Sequence, residues 1–175
     1  MIRISAATAP AATTAALIAA AMIIAPAPAH AQASPGETLE ALYDVISGPV
    51  GEARDWERFQ SLFVEGARMT VVVPSQDGPR LVTLSPDDYV ERSGENLVSI
   101  GFTEVETRRQ TFLYGEMATI LSAYEGVRAD TGETIAVGIN TLVIVQEGDA
   151  WKIASIAWRA ADEAWPVERG FEPVE

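Results

Sequence analysis

The chain has 175 residues, a formal net charge of −13, one histidine and no cysteine. The lack of cysteine excludes thiol catalysis, disulfides, cysteine-metal sites and a lipid-modified N-terminal cysteine. The acidic balance opposes polyphosphate, so no nucleic-acid partner is expected.

Arg3 is the only charge in the first 33 residues. The apolar run Ala15 to Ala25 is too short for a bilayer, which takes ~20 apolar residues. Ala29-His30-Ala31 and Ala31-Gln32-Ala33 both fit a signal-peptidase site. Residues 1–31 are therefore read as a signal peptide, with cleavage after Ala31 or Ala33, and the product as periplasmic or extracellular with no transmembrane segment. His30 falls within the removed piece. The exported chain would have no histidine for a Ser-His or Asp-His dyad or for a metal site. The remaining length, about 140 residues, suits one domain with a single core.

A first helix is expected over Glu37 to Ser47, where Leu39, Leu42, Tyr43 and Ile46 share a face. Gly48-Pro49 ends it. Asp55 is the N-cap of a short second helix bearing Trp56, Phe59, Leu62 and Phe63. After Glu65-Gly66 the period changes to that of a strand, through Met69, Val71, Val72 and Val73. SQDGP (75–79) turns into a short strand, Leu81 to Thr83. Ser85-Pro86-Asp87-Asp88 opens a third helix that runs to about Ile100, with Tyr89, Leu97 and Ile100 inward and Gly101 as its stop.

Four strands should follow: Phe102 to Phe112, Ala118 to Arg128, Thr134 to Gln146 and Ala150 to Ala160. Tight turns between long runs imply an antiparallel meander. Helices first and strands after predict an α+β protein with N-terminal helices on one face of a curved antiparallel sheet.

Three stretches carry a family resemblance. They are ALYDVISGPVGEARDWERFQSLFVEGARM, LSPDDYVE, and RRQTFLYGEMATILSAYEG with GINTLVIVQEGDAWKIASIAW. Together they resemble the nuclear transport factor 2-like (NTF2-like) superfamily, the cone fold shared with ketosteroid isomerases and SnoaL-like polyketide cyclases. The resemblance covers residues 37–160 and leaves 161–175 as an acidic C-terminal tail. It implies helices closing over the concave side of the sheet around a pocket, and a homodimer formed through the sheet. In close relatives a histidine commonly stands near Arg108; here EVETRRQ has arginine.

The candidate ligand-binding residues are Tyr43, Trp56, Phe59, Phe63, Tyr89 and Asn140. An amide at the centre of GINTLVIV needs partners if buried, so Asn140 either lines the cavity or bonds a neighbouring side chain. Glu125 is the candidate general base, with a cross-strand ion pair to Arg108 or Arg109 as its plainer role. Tyr124 and Trp158 lie on strands and suit the dimer face as well as the pocket. Asp87-Asp88 is explained by the helix end and Asp162-Glu163 by a solvated tail, so no metal and no cofactor is expected.

Three functions remain open. The leading one is non-catalytic binding of a small apolar or amphiphilic molecule. The others are an isomerase, cyclase or dehydratase using a carboxylate base, and a ligand-free interaction module. A cavity with an inward carboxylate near a tyrosine would favour the enzyme. A cone plugged by Trp56, Phe59 and Phe63 would leave only the interaction module.

Overall fold

The structure, a computed structural model, describes residues 32–173. The expected signal peptide, residues 1–31, lies outside the described residues. Among those described, no helix is long and apolar enough to cross a membrane.

Each helix begins where the sequence offers a cap. Ser34 Oγ accepts the Glu37 amide at the start of α1 (Pro35–Ile46). Asp55 accepts the Arg58 amide at the start of α2 (Trp56–Ser61). Ser85 and Asp88 exchange backbone and side-chain bonds in a full capping box at the start of α3 (Pro86–Ile100). These bonds satisfy amide groups that a helix end otherwise leaves without partners.

Six strands form one curved sheet in the order β2-β1-β6-β5-β4-β3. They are β1 (Phe63–Val73), β2 (Arg80–Leu84), β3 (Phe102–Tyr114), β4 (Met117–Arg128), β5 (Thr134–Glu147) and β6 (Ala150–Ala160). The last four make the expected meander. Two details differ from expectation. β1 begins at Phe63 rather than Met69, because Gly66, at φ 76°, takes a backbone turn within the strand instead of ending it. The register against β6 shifts between Phe63 and Arg68, the mark of a bulge, which bends the strand. The β1–β6 seam is also parallel, whereas every other pairing is antiparallel. The chain from β2 to β5 supplies the long crossover that a parallel pair requires.

Leu39, Phe59, Ile120, Leu142, Ile144 and Ile153 are fully buried between the helices and the concave face. Phe59 is the hub of the aromatic cluster. Its ring lies 5.0 Å from Phe63, 5.8 Å from Trp56, and 5.4 Å from Tyr89, on which it stacks. The short aromatic helix thus joins α3 to the start of β1, which is why it passes directly into the sheet.

Arg54 secures the helix ends. It is buried, and its guanidinium donates to the carbonyls of Ile46 (3.1 Å), Gly48 (2.7 Å), Glu52 (2.6 Å) and Leu97 (3.2 Å). The carbonyl ends of α1 and α3 carry partial negative charge, so they offset a cation that has no carboxylate partner among the described residues.

The C-terminal segment is not a free tail. Arg159 pairs with Asp162 at 2.6 Å, and a 3-10 turn, Val167–Phe171, lies on the outer face of the sheet. There the Arg108 guanidinium sits 4.1 Å from the centre of the Phe171 ring. Arg108, Ala123 and Ile139 form one row on that face, and the segment covers it.

Candidate functional site

The helices do not fill the concavity. A cavity of about 170 Å³ remains, walled by Leu42 and Ile46 of α1, Phe59 of α2, and Tyr89 and Leu97 of α3. Its floor is the sheet, where Phe102, Glu104, Tyr124, Asn140 and Trp158 face inward. Strand periodicity selects these residues: Phe102, Glu104 and Glu106 alternate inward on β3, as do Ser122 and Tyr124 on β4. A bulge between Glu106 and Arg108 then resets the parity, so Arg109 returns to the inner face and Arg108 points out.

Among the described residues, Glu104 is the only carboxyl on the cavity wall. It is partly accessible, and it lines the cavity. Its Oε1 accepts a 3.0 Å hydrogen bond from Asn140 Nδ2, and no cation pairs with it among the described residues. Burial pushes its carboxyl up to about 7; the Asn140 bond, which favours the charged form, opposes this only in part. A carboxyl in this state carries and releases a proton near neutrality.

Two tyrosines share the cavity. Burial, and then the nearby Glu104 charge, push Tyr124 up to about 12 and Tyr89 well above the ordinary phenol value. Both stay protonated, and neither hydroxyl has a hydrogen-bond partner among the described residues, so both are free to donate to a guest. Gly138 makes room for one of them: a Cβ there would lie 2.9 Å from Tyr124 Oη.

Behind the cavity, Asn140 Nδ2 also donates to Tyr43 Oη at 2.9 Å, and Tyr43 Oη lies 2.8 Å from Ser122 Oγ. Ser122 donates to Glu106 Oε1 at 2.6 Å, and Arg109 binds that carboxylate, its Nη2 being 2.7 Å from Oε2. Arg109 reaches Glu40 at the surface, 3.3 Å away.

No protein-family model matches the chain, and no curated protein sequence matches it. Solved structures do. An NTF2-like protein with a cystatin-like fold from Novosphingobium aromaticivorans superposes with a TM-score of 0.60 at 15% identity, covering 78% of this chain and 86% of its own. A protein of unknown function with a cystatin-like fold from Nostoc punctiforme gives 0.57 at 8% identity, covering 73% and 89%. A putative dehydratase of the NTF2-like family from Streptomyces avermitilis gives 0.55 at 14% identity, covering 73% and 93%. The chain has the NTF2-like cone fold.

Within that cone the predicted residues separate. Phe59, Tyr89 and Asn140 line the cavity. Tyr43 lies one bond behind it, under Asn140. Trp56 packs on Gly94 of α3, where a Cβ would come within 3.2 Å of the indole, and Phe63 is buried against Phe59. Neither of these two reaches the cavity wall, so the aromatic helix does not plug the cone.

Glu125 is misplaced as a base. It follows Tyr124 by one residue and is therefore on the outer face, exposed, in a row with Val105 and Val137. Its expected ion pair is not formed either: Arg109 is held by Glu106 and Glu40, and Arg108 by Phe171. Asp88 serves its helix cap, and Asp87 accepts from Gln60 at 2.7 Å. Glu104, Glu106 and Ser122 are the functional candidates that the sequence concealed. The signal was the two-residue step from Phe102, which turns Glu104 and Glu106 inward together.

Proposed function

We propose that the cone is a proton-transfer site for a small neutral molecule of about one ring, with Glu104 as the group that exchanges the proton. A single observation carries this reading. A carboxyl with no cation beside it faces a cavity that two tyrosines without hydrogen-bond partners among the described residues also line. Burial of a carboxyl without charge compensation is costly, and such groups concentrate at working sites. Tyr89 or Tyr124 would donate to the oxygen on which charge develops when Glu104 removes a proton beside a carbonyl. The size of the cavity supports a single ring, since an apolar cavity of ~150 Å³ holds benzene. The putative dehydratase of similar fold points towards the same class of chemistry.

The test uses cyclopentanone and cyclohexanone as probes in heavy water. NMR should report exchange of the protons beside the carbonyl above the buffer rate. That excess should vanish in Glu104→Gln and persist in Glu125→Gln. Saturable binding of the probes with no exchange would leave the non-catalytic pocket as the function, a reading that the lack of cysteine, and of any histidine besides His30, also favours.

The remaining parts of the proposal are export through residues 1–31 and a homodimer formed through the outer face of the sheet. Phe112 and Val143 stand exposed on that face in one row with Thr119, and Trp165 of the docked C-terminal segment is half exposed.

A further inference from the structure

The chain from Glu104 to the surface has a direction, and the direction is fixed at its outer end. Glu106 is acceptor-only as a carboxylate, and Arg109 holds it through Nε, 3.0 and 2.9 Å from its two oxygens, and through Nη2. Ser122 has one proton and gives it to Glu106. Its oxygen must therefore accept from Tyr43, whose own single proton is thereby used. The Tyr43 oxygen is then open only as an acceptor, so Asn140 turns its NH₂ towards it. The same nitrogen reaches Glu104. Each link permits only one orientation of the next.

We infer that Glu106 is a positioning residue: through Ser122 and Tyr43 its carboxylate makes Asn140 present nitrogen, rather than oxygen, to Glu104. The inference rests on Glu104 being the working group of the cavity, but its test reads the carboxyl directly and needs no turnover.

Two neutralising changes reverse the chain. In Glu106→Gln, Arg109 claims the new carbonyl oxygen because it can only donate, which leaves the amide nitrogen facing Ser122. Ser122 then donates to Tyr43, Tyr43 donates to Asn140, and Asn140 turns its oxygen inward. In Ser122→Ala, the Tyr43 proton loses its acceptor, and the nearest remaining one is the Asn140 side chain, 2.9 Å away. Asn140 must flip to take it. Since one Asn140 atom serves both Tyr43 and Glu104, the flip sets an oxygen against Glu104, which then needs its own proton to bond.

The signs separate this mechanism from simple charge. Removing the negative charge of Glu106 should lower the proton affinity of Glu104 through space, whereas reversing the chain raises it. Ser122→Ala changes no charge at all. The other titratable groups around Glu104 are Tyr43 of α1, Tyr89 of α3 and Tyr124 of β4, all held neutral. They therefore contribute no competing charge near pH 7.

The experiment is a carbon-13 NMR titration of the full chain labelled at glutamate Cδ, with the Glu104 signal assigned by Glu104→Gln. Both Glu106→Gln and Ser122→Ala should raise the Glu104 midpoint by about one pH unit, a tenfold gain in proton affinity. A midpoint lowered in Glu106→Gln, or unmoved in Ser122→Ala, overturns the inference. Ser122→Ala keeps the Arg109–Glu106 pair and serves alone if Glu106→Gln does not fold. A raised midpoint without any exchange of ring ketones would uphold the positioning role and reject only the proposed chemistry.

Discussion

Glu104 on β3 and Asn140 on β5 meet at 3.0 Å across the strand that lies between them. Because β4 intervenes, the contact is made inside the concavity, above the plane of the sheet. It is the one hydrogen bond that the carboxyl receives from the described residues, so burial outweighs it and the proton is held to about pH 7.

Stability should carry the imprint of this carboxyl. The folded value, about 7, lies above the ordinary 4.5. Between these two values the folded state holds a proton that the unfolded state has released, so this contribution to stability falls as pH rises. Above pH 7 the full cost remains, on the order of 3 kcal/mol. Glu104→Gln should match wild type in urea unfolding at pH 4 and exceed it increasingly up to pH 7–8. A constant difference across that range would contradict the assignment.

Asn140→Leu removes both bonds of the amide. Tyr43 keeps Ser122, which limits the loss of stability to about 1–3 kcal/mol. Glu104 keeps nothing, so its midpoint should rise above that of wild type. Probe affinity should fall by more than the stability does. Equal losses in both would mark Asn140 as a purely structural amide.

The N-terminus of the exported protein should be Gln32. The Gln32 carbonyl accepts the Trp151 amide at 3.0 Å, and the Ala33 amide donates to Glu37 at 2.8 Å. Cleavage after Ala31 keeps both contacts, whereas cleavage after Ala33 loses them. Edman sequencing of the secreted form reads this directly, and a chain that still begins at Met1 would reject export.

Self-association should proceed through the outer face. Analytical ultracentrifugation at micromolar concentration should give a dimer mass for wild type and a monomer for Phe112→Asp, which places a charge in the exposed apolar row. A wild-type monomer would remove the dimer from the account.

Most of the architecture was legible because the first helix shows an apolar face, the second and third are announced by their caps, and each strand of the meander is bounded by a tight turn. What escaped depended on parity and on distant contacts. Gly66 reads in sequence as the turn between the short helix and the strand, yet it lies inside β1 and bends it. Glu125 was a candidate base because its strand was expected to wall an apolar cone, but the two-residue period of a strand sends neighbours to opposite faces and places Tyr124, not Glu125, inside. Glu104 lay on the correct parity, two steps from Phe102, and was hidden by the charged composition of EVETRRQ, which suggests a solvated strand. Nothing in the sequence singles out Arg54, and only the convergence of two helix ends shows why it is buried. The C-terminal residues, acidic enough to suggest a free tail, are held by Arg159 and by the stacking of Phe171 on Arg108.

The carboxyl titration of Glu104 in the unmodified protein tests the central claim most directly. A carbon-13 midpoint close to pH 7 is the predicted result. A midpoint below about 5, in the range of an ordinary glutamate, would mean that the group is solvated and that the cavity holds no proton-transfer site.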